Sequence, residues 1–295
     1  MEIRHLKTFL AVARLLSFNK AADRLHYAQS SVSAQIRDLE TELAVPLFQR
    51  LGRTISLTEA GERLIPYAEK MVDLADQTRT EMGGGGEPGG SLTVRMPESL
   101  GTYRLSSAIT EFKGRFPNVR LKLTNCTHDG LHQDLQKGVT DAAFLLTDSF
   151  YAADVEVEAL GFEPLLLVAS PGHRLAGKRI VRTRDLEGEV ILLSDVDCSY
   201  KRLLERLLEE ERVPVDTSLS FHSVETLKQC AIGGAGITIL PKISVSEEIR
   251  QGKLKRLAWE VKDLEVAILM IWRKAKWLSP SLKAFMETVR KAMRR

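Results

Sequence analysis

The sequence predicts an α/β protein with an N-terminal winged helix-turn-helix, rich in α-helix, followed by two small α/β lobes. Three observations point there. Apolar residues recur at three and four through most of residues 1–82, six glycines crowd residues 83–90, and beyond them short β-rich runs alternate with amphipathic helices. Such a glycine run neither holds a helix nor buries side chains, so it reads as a hinge between two kinds of domain. The chain accordingly divides into residues 1–57, a linker helix over 58–82, the hinge over 83–90, and residues 91–295.

At 295 residues the chain exceeds one ordinary core, and 44% hydrophobic with 27% charged residues is ordinary globular composition. No apolar run approaches the roughly 18 residues of a membrane span, and the start lacks the pattern of a secretory signal, so a cytoplasmic protein without membrane contact is expected. Cys126, Cys198 and Cys230 are too scattered for a disulfide scaffold or zinc site, and no metal or cofactor is expected. The net charge of +3 is unevenly spread: residues 1–57 carry +3, residues 58–82 carry −3, and the rest +3. A basic excess in residues 273–295 suits a solvated helix face, or a second nucleic-acid contact.

Ile3, Leu6, Phe9, Leu10, Val12, Ala13 and Leu16 predict a first amphipathic helix. Ser17 offers a cap for a second over 18–25, in which Ala21 and Ala22 permit close packing. Residues 26–28 form a connection of helix-turn-helix length, and a third helix follows over 29–43. Val32, Ile36, Leu39 and Leu43 face inward there. Ser30, Ser31, Ala34, Arg37 and Thr41 then face outward, with Gln29 and Ser33 at the exposed N-terminal end or flank. Short polar side chains on that front suit a helix lying in a DNA major groove, though a merely solvated helix has the same pattern. Residues 46–58 read as strand, tight Arg50-Leu51-Gly52-Arg53 turn and strand, a wing that brings Arg50 and Arg53 to DNA backbone or minor groove.

The runs Phe9-Leu10-Ala11-Val12-Ala13, Ser17-Phe18-Asn19-Lys20-Ala21-Ala22, Gln29-Ser30-Ser31-Val32-Ser33, Ile36-Arg37-Asp38-Leu39-Glu40, Leu47-Phe48-Gln49-Arg50 and Leu57-Thr58-Glu59-Ala60-Gly61 resemble the N-terminal signature of LysR-type transcriptional regulators. The likeness is dense over about 65 residues. The later run from Gly233 to Pro241 fits the family's effector domain more loosely. The resemblance implies a winged helix-turn-helix, a dimerising linker helix, and a two-lobed sensor of periplasmic-binding-protein type. It also implies double-stranded promoter DNA, a small-molecule co-inducer, a homodimer assembling into a homotetramer, and RNA polymerase as partners. The family commonly has Arg where this chain has Ala34, which removes one direct DNA contact.

Thr58 can cap the linker helix, with Glu59 and Glu62 favourable in its first turn. Ala60, Leu64, Tyr67, Met71, Leu74 and Thr78 keep 4-3 spacing, a seam for a second helix or for the chain's own lobes, and Pro66 predicts a kink.

In the C-terminal part, strands are expected near 92–96, 119–124, 141–146, 163–169, 190–193, 218–221, 236–240 and 265–272. Helices are expected near 102–115, 129–137, 199–211, 223–232, 244–251 and 280–293. Their alternation suggests parallel sheets with crossover helices in two lobes, about 91–161 with 268–295, and about 162–267. Ligands of such sheets sit beyond strand C-termini. That gathers Glu98, Ser99, Leu100, Thr127, His128, Thr147, Cys198, Ser199, His222 and Thr226 around one cleft suited to a small anionic or polar ligand. Each hydroxyl there also suits a plain helix cap. Cys198, His222 and Asp195 raise the thought of a nucleophile triad, but no phosphate loop, His-Glu-x-x-His helix or Gly-x-Ser-x-Gly turn supports an enzyme. A ligand-independent architectural DNA binder would leave the two lobes without a use.

Overall fold

The computed structural model describes residues 1–51, 54–82, 88–126, 130–147, 149–194, 198–261, 264–274 and 278–294. The chain forms two compact units, Met1–Ser91 with Asn118–Arg120, and Leu92–Pro117 with Leu121–Arg295. Residues 83–87 of the expected hinge lie outside the described residues.

The first unit contains α1 (Ile3–Leu15), α2 (Phe18–Leu25), α3 (Gln29–Leu43), β1 (Phe48–Leu51), β2 (Thr54–Leu57) and α4 (Glu59–Met82). Each of the first three helices stops abruptly, on Leu16, His26 and Ala44, whose φ angles are 45°, 56° and 53°. Ser17 caps α2 as its sequence position suggests, its hydroxyl accepting from the Lys20 amide at 3.3 Å. Leu6, Phe9, Val12, Ala21, Ala22, Val32, Ile36 and Leu39 form the buried centre. Leu43, expected to face inward, is 36% exposed instead, because the chain leaves the helix at Ala44 before another turn can close over it.

The wing is anchored to this core. Phe48 packs its ring against Phe9 and Phe18 at centroid distances of 5.6 and 5.8 Å. The Glu40 carboxylate of α3 accepts from the Leu47 and Phe48 amides at 2.7 and 3.2 Å. Thr58 then starts α4, its hydroxyl accepting from the Gly61 amide at 3.1 Å and donating to the Pro46 carbonyl at 2.7 Å. At Gly61 the helix runs so close to the wing that a Cβ would lie 2.2 Å from the Leu47 carbonyl oxygen, so only glycine fits. The helix continues through Pro66 to Met82.

The second unit contains β3 (Gly90–Met96) from Leu92 on, α5 (Glu98–Tyr103), α6 (Ser106–Arg115), β4 (Val119–Asn125) from Leu121 on, α7 (Leu131–Gln136), β5 (Ala142–Thr147) and β6 (Val155–Ala169). A 3₁₀ turn at Thr183–Leu186 leads to β7 (Leu193–Ser194), α8 (Cys198–Glu210), β8 (Ser220–Phe221), α9 (Val224–Ile232), β9 (Thr238–Pro241), α10 (Lys242–Arg250), β10 (Lys255–Arg256), β11 (Glu265–Arg273) and α11 (Pro280–Met293). Among the described residues β10-β6-β11-β5-β3-β4 lie side by side in one sheet, with β9 also on β6.

Two expectations are corrected here. The sheet is mixed: β3 and β5 are parallel, but β11 runs antiparallel to both β5 and β6, as do β9 and β10 to β6. The two groups of strands also share β6, which pairs with β11 along Val155–Pro164 and with β9 along Leu165–Val168. Sequence pattern suggested a strand only over 163–169. The missed part, Val155-Glu156-Val157-Glu158, alternates in type, but Val157 is 39% exposed, so alternation there does not mark a buried face. A register shift at Leu160, opposite Ile268 and Leu269, interrupts the pairing with β11. Beside them β7 and β8 pair in parallel, and Ile191 bridges to Ile237. There Gly236 is required, since its Cβ would meet the Val190 carbonyl oxygen at 2.4 Å.

Candidate DNA-binding surface and effector site

On α3 the exposed residues include Gln29, Ser30, Ser31, Ala34, Arg37, Asp38 and Thr41, while Ser33 is half-buried. The Gln29 amide donates to the Ser33 hydroxyl at 2.8 Å, holding both at the helix start. Ala28 supplies no side-chain cap, which leaves early backbone amides free of a side-chain acceptor. The back of the helix is fixed by Thr8, wholly buried on α1, whose hydroxyl donates to Gln35 Oε1 at 2.6 Å. Gln35 is a positioning residue that periodicity did not single out. Arg37 is exposed and pairs with no carboxylate among the described residues.

In the wing β1 and β2 are antiparallel, with Phe48 opposite Leu57 and Leu51 opposite Thr54. Arg50 therefore lies in β1, opposite Ile55, rather than in the turn; its side chain, and Arg53 entirely, lie outside the described residues.

The seam of α4 divides in two. Ala60, Leu64, Ile65, Ala68 and Val72 pack on the unit's own core, whereas Tyr67, Met71 and Leu74 are 38, 39 and 52% exposed and Thr78 is exposed. Ion pairs Lys7–Asp76 at 3.0 Å and Arg14–Glu69 at 2.8 Å hold α4 to α1. The expected seam thus mixes residues that serve the head with others that have no cover.

Of the effector-site residues, Glu98 opens α5 and accepts from the Ser223 hydroxyl at 3.1 Å and the Val224 amide at 3.0 Å, joining α5 to the start of α9. Ser99 and Leu100 are buried, at 0 and 2% exposure, rather than facing open space. His222 and Thr226 are exposed on either side of Ser223, and the Thr226 amide donates to the Ser223 hydroxyl at 3.4 Å. Thr147, half-buried, ends β5 with its hydroxyl 3.5 Å from the Ser149 carbonyl. Thr127, His128 and Asp195, and the side chains of Cys198 and Ser199 at the start of α8, lie outside the described residues. Glu98 and the 222–226 segment are therefore brought together. Among the described residues Thr147 bonds to neither.

Sequence reasoning missed the group beside them. Tyr103, Glu225, Lys228 and Glu248 form a cluster around the Lys228 ammonium, which is only 3% exposed on its side chain. A signal existed: Val224, Leu227, Lys228 and Ala231 occupy one face of α9, so a lysine stands among inward positions. Burial disfavours the charged form, but hydrogen bonds to Glu248, Tyr103 and Glu225 outweigh it and raise the Lys228 pKa. Burial would likewise raise Glu225, yet hydrogen bonds from Gln229, Lys228 and Tyr103 bring it down to about 2. Elsewhere an open groove of about 510 Å³ is lined by Arg179, Ile180, Arg256, Ala258, Trp259 and Glu260, none of them expected effector residues.

A three-helix head with a wing, joined to a mixed α/β unit, defines a DNA-binding transcriptional regulator with an attached ligand-binding domain. Residues 3–62 match the bacterial regulatory helix-turn-helix proteins of the lysR family, and residues 85–294 match the LysR substrate binding domain. The chain belongs to the LysR family of transcriptional regulators. It is 36% identical, over the whole of both chains, to the uncharacterized HTH-type transcriptional regulator YwqM of Bacillus subtilis. It is 30% identical, again over the whole of both, to YofA of the same species. Its fold is similar to that of CbnR solved with its target DNA, at a TM-score of 0.71 and 24% identity, covering 99% of this chain and all of that one. These relatives are regulators, and the chain is a regulator rather than an enzyme.

Proposed function

We propose that the protein binds promoter DNA in the cytoplasm as a dimer of dimers, beside RNA polymerase, and responds to a small molecule held in the cleft of its second unit. The observation that carries the DNA reading is the front of α3: short polar side chains, an Arg37 that pairs with no carboxylate among the described residues, and a helix start without a side-chain cap, fixed from behind by Thr8 and Gln35. In this reading Gln29, Ser30, Ser31 and Ser33 meet base edges, while Arg37, Arg50 and Arg53 meet phosphate. CbnR, which shares the fold, has been solved on its target DNA. The exposed stripe Tyr67, Met71 and Leu74 supports pairing through α4. Glu98, His222 and Thr226 supply polar groups at the effector site, along with Thr127, His128, Thr147, Cys198 and Ser199.

The test is operator binding over a series of salt concentrations, with DNA from upstream of the protein's own gene. Ser30→Ala with Ser33→Ala should change which sequences bind. Arg37→Ala or Arg53→Ala should weaken every site and reduce the salt slope by about one unit per lost phosphate contact. Unchanged affinity and preference in both classes would reject α3 and the wing as the DNA-facing surface.

A further inference from the structure

The short helix α5 is held at both ends by the segment that starts α9. At its first residue Glu98 accepts from Ser223 and Val224. At its last, the Tyr103 hydroxyl donates to Glu225 Oε2 at 2.7 Å and accepts from Lys228 Nζ at 2.8 Å. The same ammonium reaches Glu248 Oε1 at 2.6 Å, Glu225 at 2.9 Å and the Ser244 carbonyl at 3.3 Å, which brings α10 into the group. Helix α5 follows β3, in the part of the sheet built on β5 and β11. Helices α9 and α10 flank β9, in the part built on the far end of β6. The contacts therefore bridge the two halves of the second unit.

Their placement on one short helix couples them. Withdrawing Tyr103 takes an acceptor from the buried Lys228 ammonium, which keeps Glu225, Glu248 and the Ser244 carbonyl, and a donor from the half-exposed Glu225, so it loosens the hold of α9 on α5. Withdrawing Glu98 removes the acceptor of the Val224 amide and the negative charge beside the start of α9. Glu98 and Tyr103 are the first and last residues of a six-residue helix, so a rigid displacement of α5 away from α9 breaks both contacts.

We infer that Glu98 and the Tyr103–Lys228 pair form a two-point latch between the halves of the second unit, closed in the structure described, and that opening the effector cleft requires both points to release. Its meaning for regulation rests on the effector cleft proposed above; the latch itself does not. An anionic effector that takes the place of the Glu98 carboxylate at Ser223 and the Val224 amide displaces one point directly and, by shifting α5, releases the other.

The test uses the full-length protein without DNA or effector, and compares wild type, Glu98→Gln, Tyr103→Phe and the double variant. Hydrogen exchange is followed by mass spectrometry with fragmentation that resolves the Val224 amide and residues 244–250. Tyr103→Phe keeps the ring and removes only the hydroxyl, so the fold is retained. A latch predicts that Tyr103→Phe speeds exchange at Val224, and Glu98→Gln speeds it over 244–250, each by about fivefold or more, with the double variant little faster than either single one. Effects confined to each variant's own contact, or multiplying in the double variant, overturn the latch. Coupled exchange in a protein for which no cleft ligand is found would uphold the latch and reject the effector reading instead.

Discussion

Glu163 and Glu225 are carboxylates whose environments push them in opposite directions. Glu163 is 5% exposed, and its pKa is raised, chiefly by burial, against the lowering effect of the Ile243 amide at 2.8 Å. A raised carboxylate costs stability as pH climbs from the unfolded value near 4.5 through the folded one, and that cost persists above it. Glu163→Gln should therefore gain on wild type as pH rises from 4 to 7, by a few degrees in thermal melts; a pH-independent difference would show that the carboxylate ionises without penalty. For Glu225, brought down to about 2, the contribution is fully present above about 4.5 and lost as pH falls toward 2. Glu225→Gln should lower stability at pH 7, by about 1 kcal/mol given its half-exposed side chain, and match wild type near pH 2. Gly61 is a steric case. Gly61→Ala sets a methyl against the Leu47 carbonyl, and should cost about 2 kcal/mol or more and weaken operator binding by shifting the wing.

At the scale of the element, α4 carries the clearest consequence. Met71→Asp with Leu74→Asp places two charges on the uncovered stripe without touching Leu64 or Ala68 in the head's own core. On the proposed pairing through α4, sedimentation should show a dimer in wild type and its loss in the variant, with the head's melting unchanged; the same assembly in both would exclude the stripe as the interface. The helices of the head were legible from the sequence to within a residue, because each has a one-sided apolar pattern and an abrupt stop. The linker helix was legible in length, but its seam was not: 4-3 spacing cannot say that Ala60 and Leu64 turn to the same chain's core while Met71 and Leu74 do not. The first half of β6 was hidden by its glutamates and by the exposure of Val157, and the antiparallel direction of β11 by the fact that periodicity carries no direction. Helix starts drew attention to Glu98 and Thr226, yet the cap of α9 is Ser223. The Lys228 cluster joins residues more than a hundred positions apart, as Tyr103 and Lys228 are, and no local pattern records such a meeting.

For the whole molecule, the partition into two units separates reading DNA from sensing. A metabolite that raises the melting temperature by binding the native second unit should lose that effect in Thr226→Ala, with operator affinity in its absence unaltered. If the shift survives, the ligand sits elsewhere, and the groove beside Trp259 becomes the place to look. The long strand β6 bears on ancestry and on engineering alike. Its 15 residues serve β11 at one end and β9 and β10 at the other, so neither half of the sensor owns it. Genetic fusion, fragment complementation or exchange of one half between relatives would have to divide a hydrogen-bonded strand, leaving a raw edge on both pieces. The sensor is thus a single heritable unit, and chimaeras should be joined before β3 rather than between its lobes.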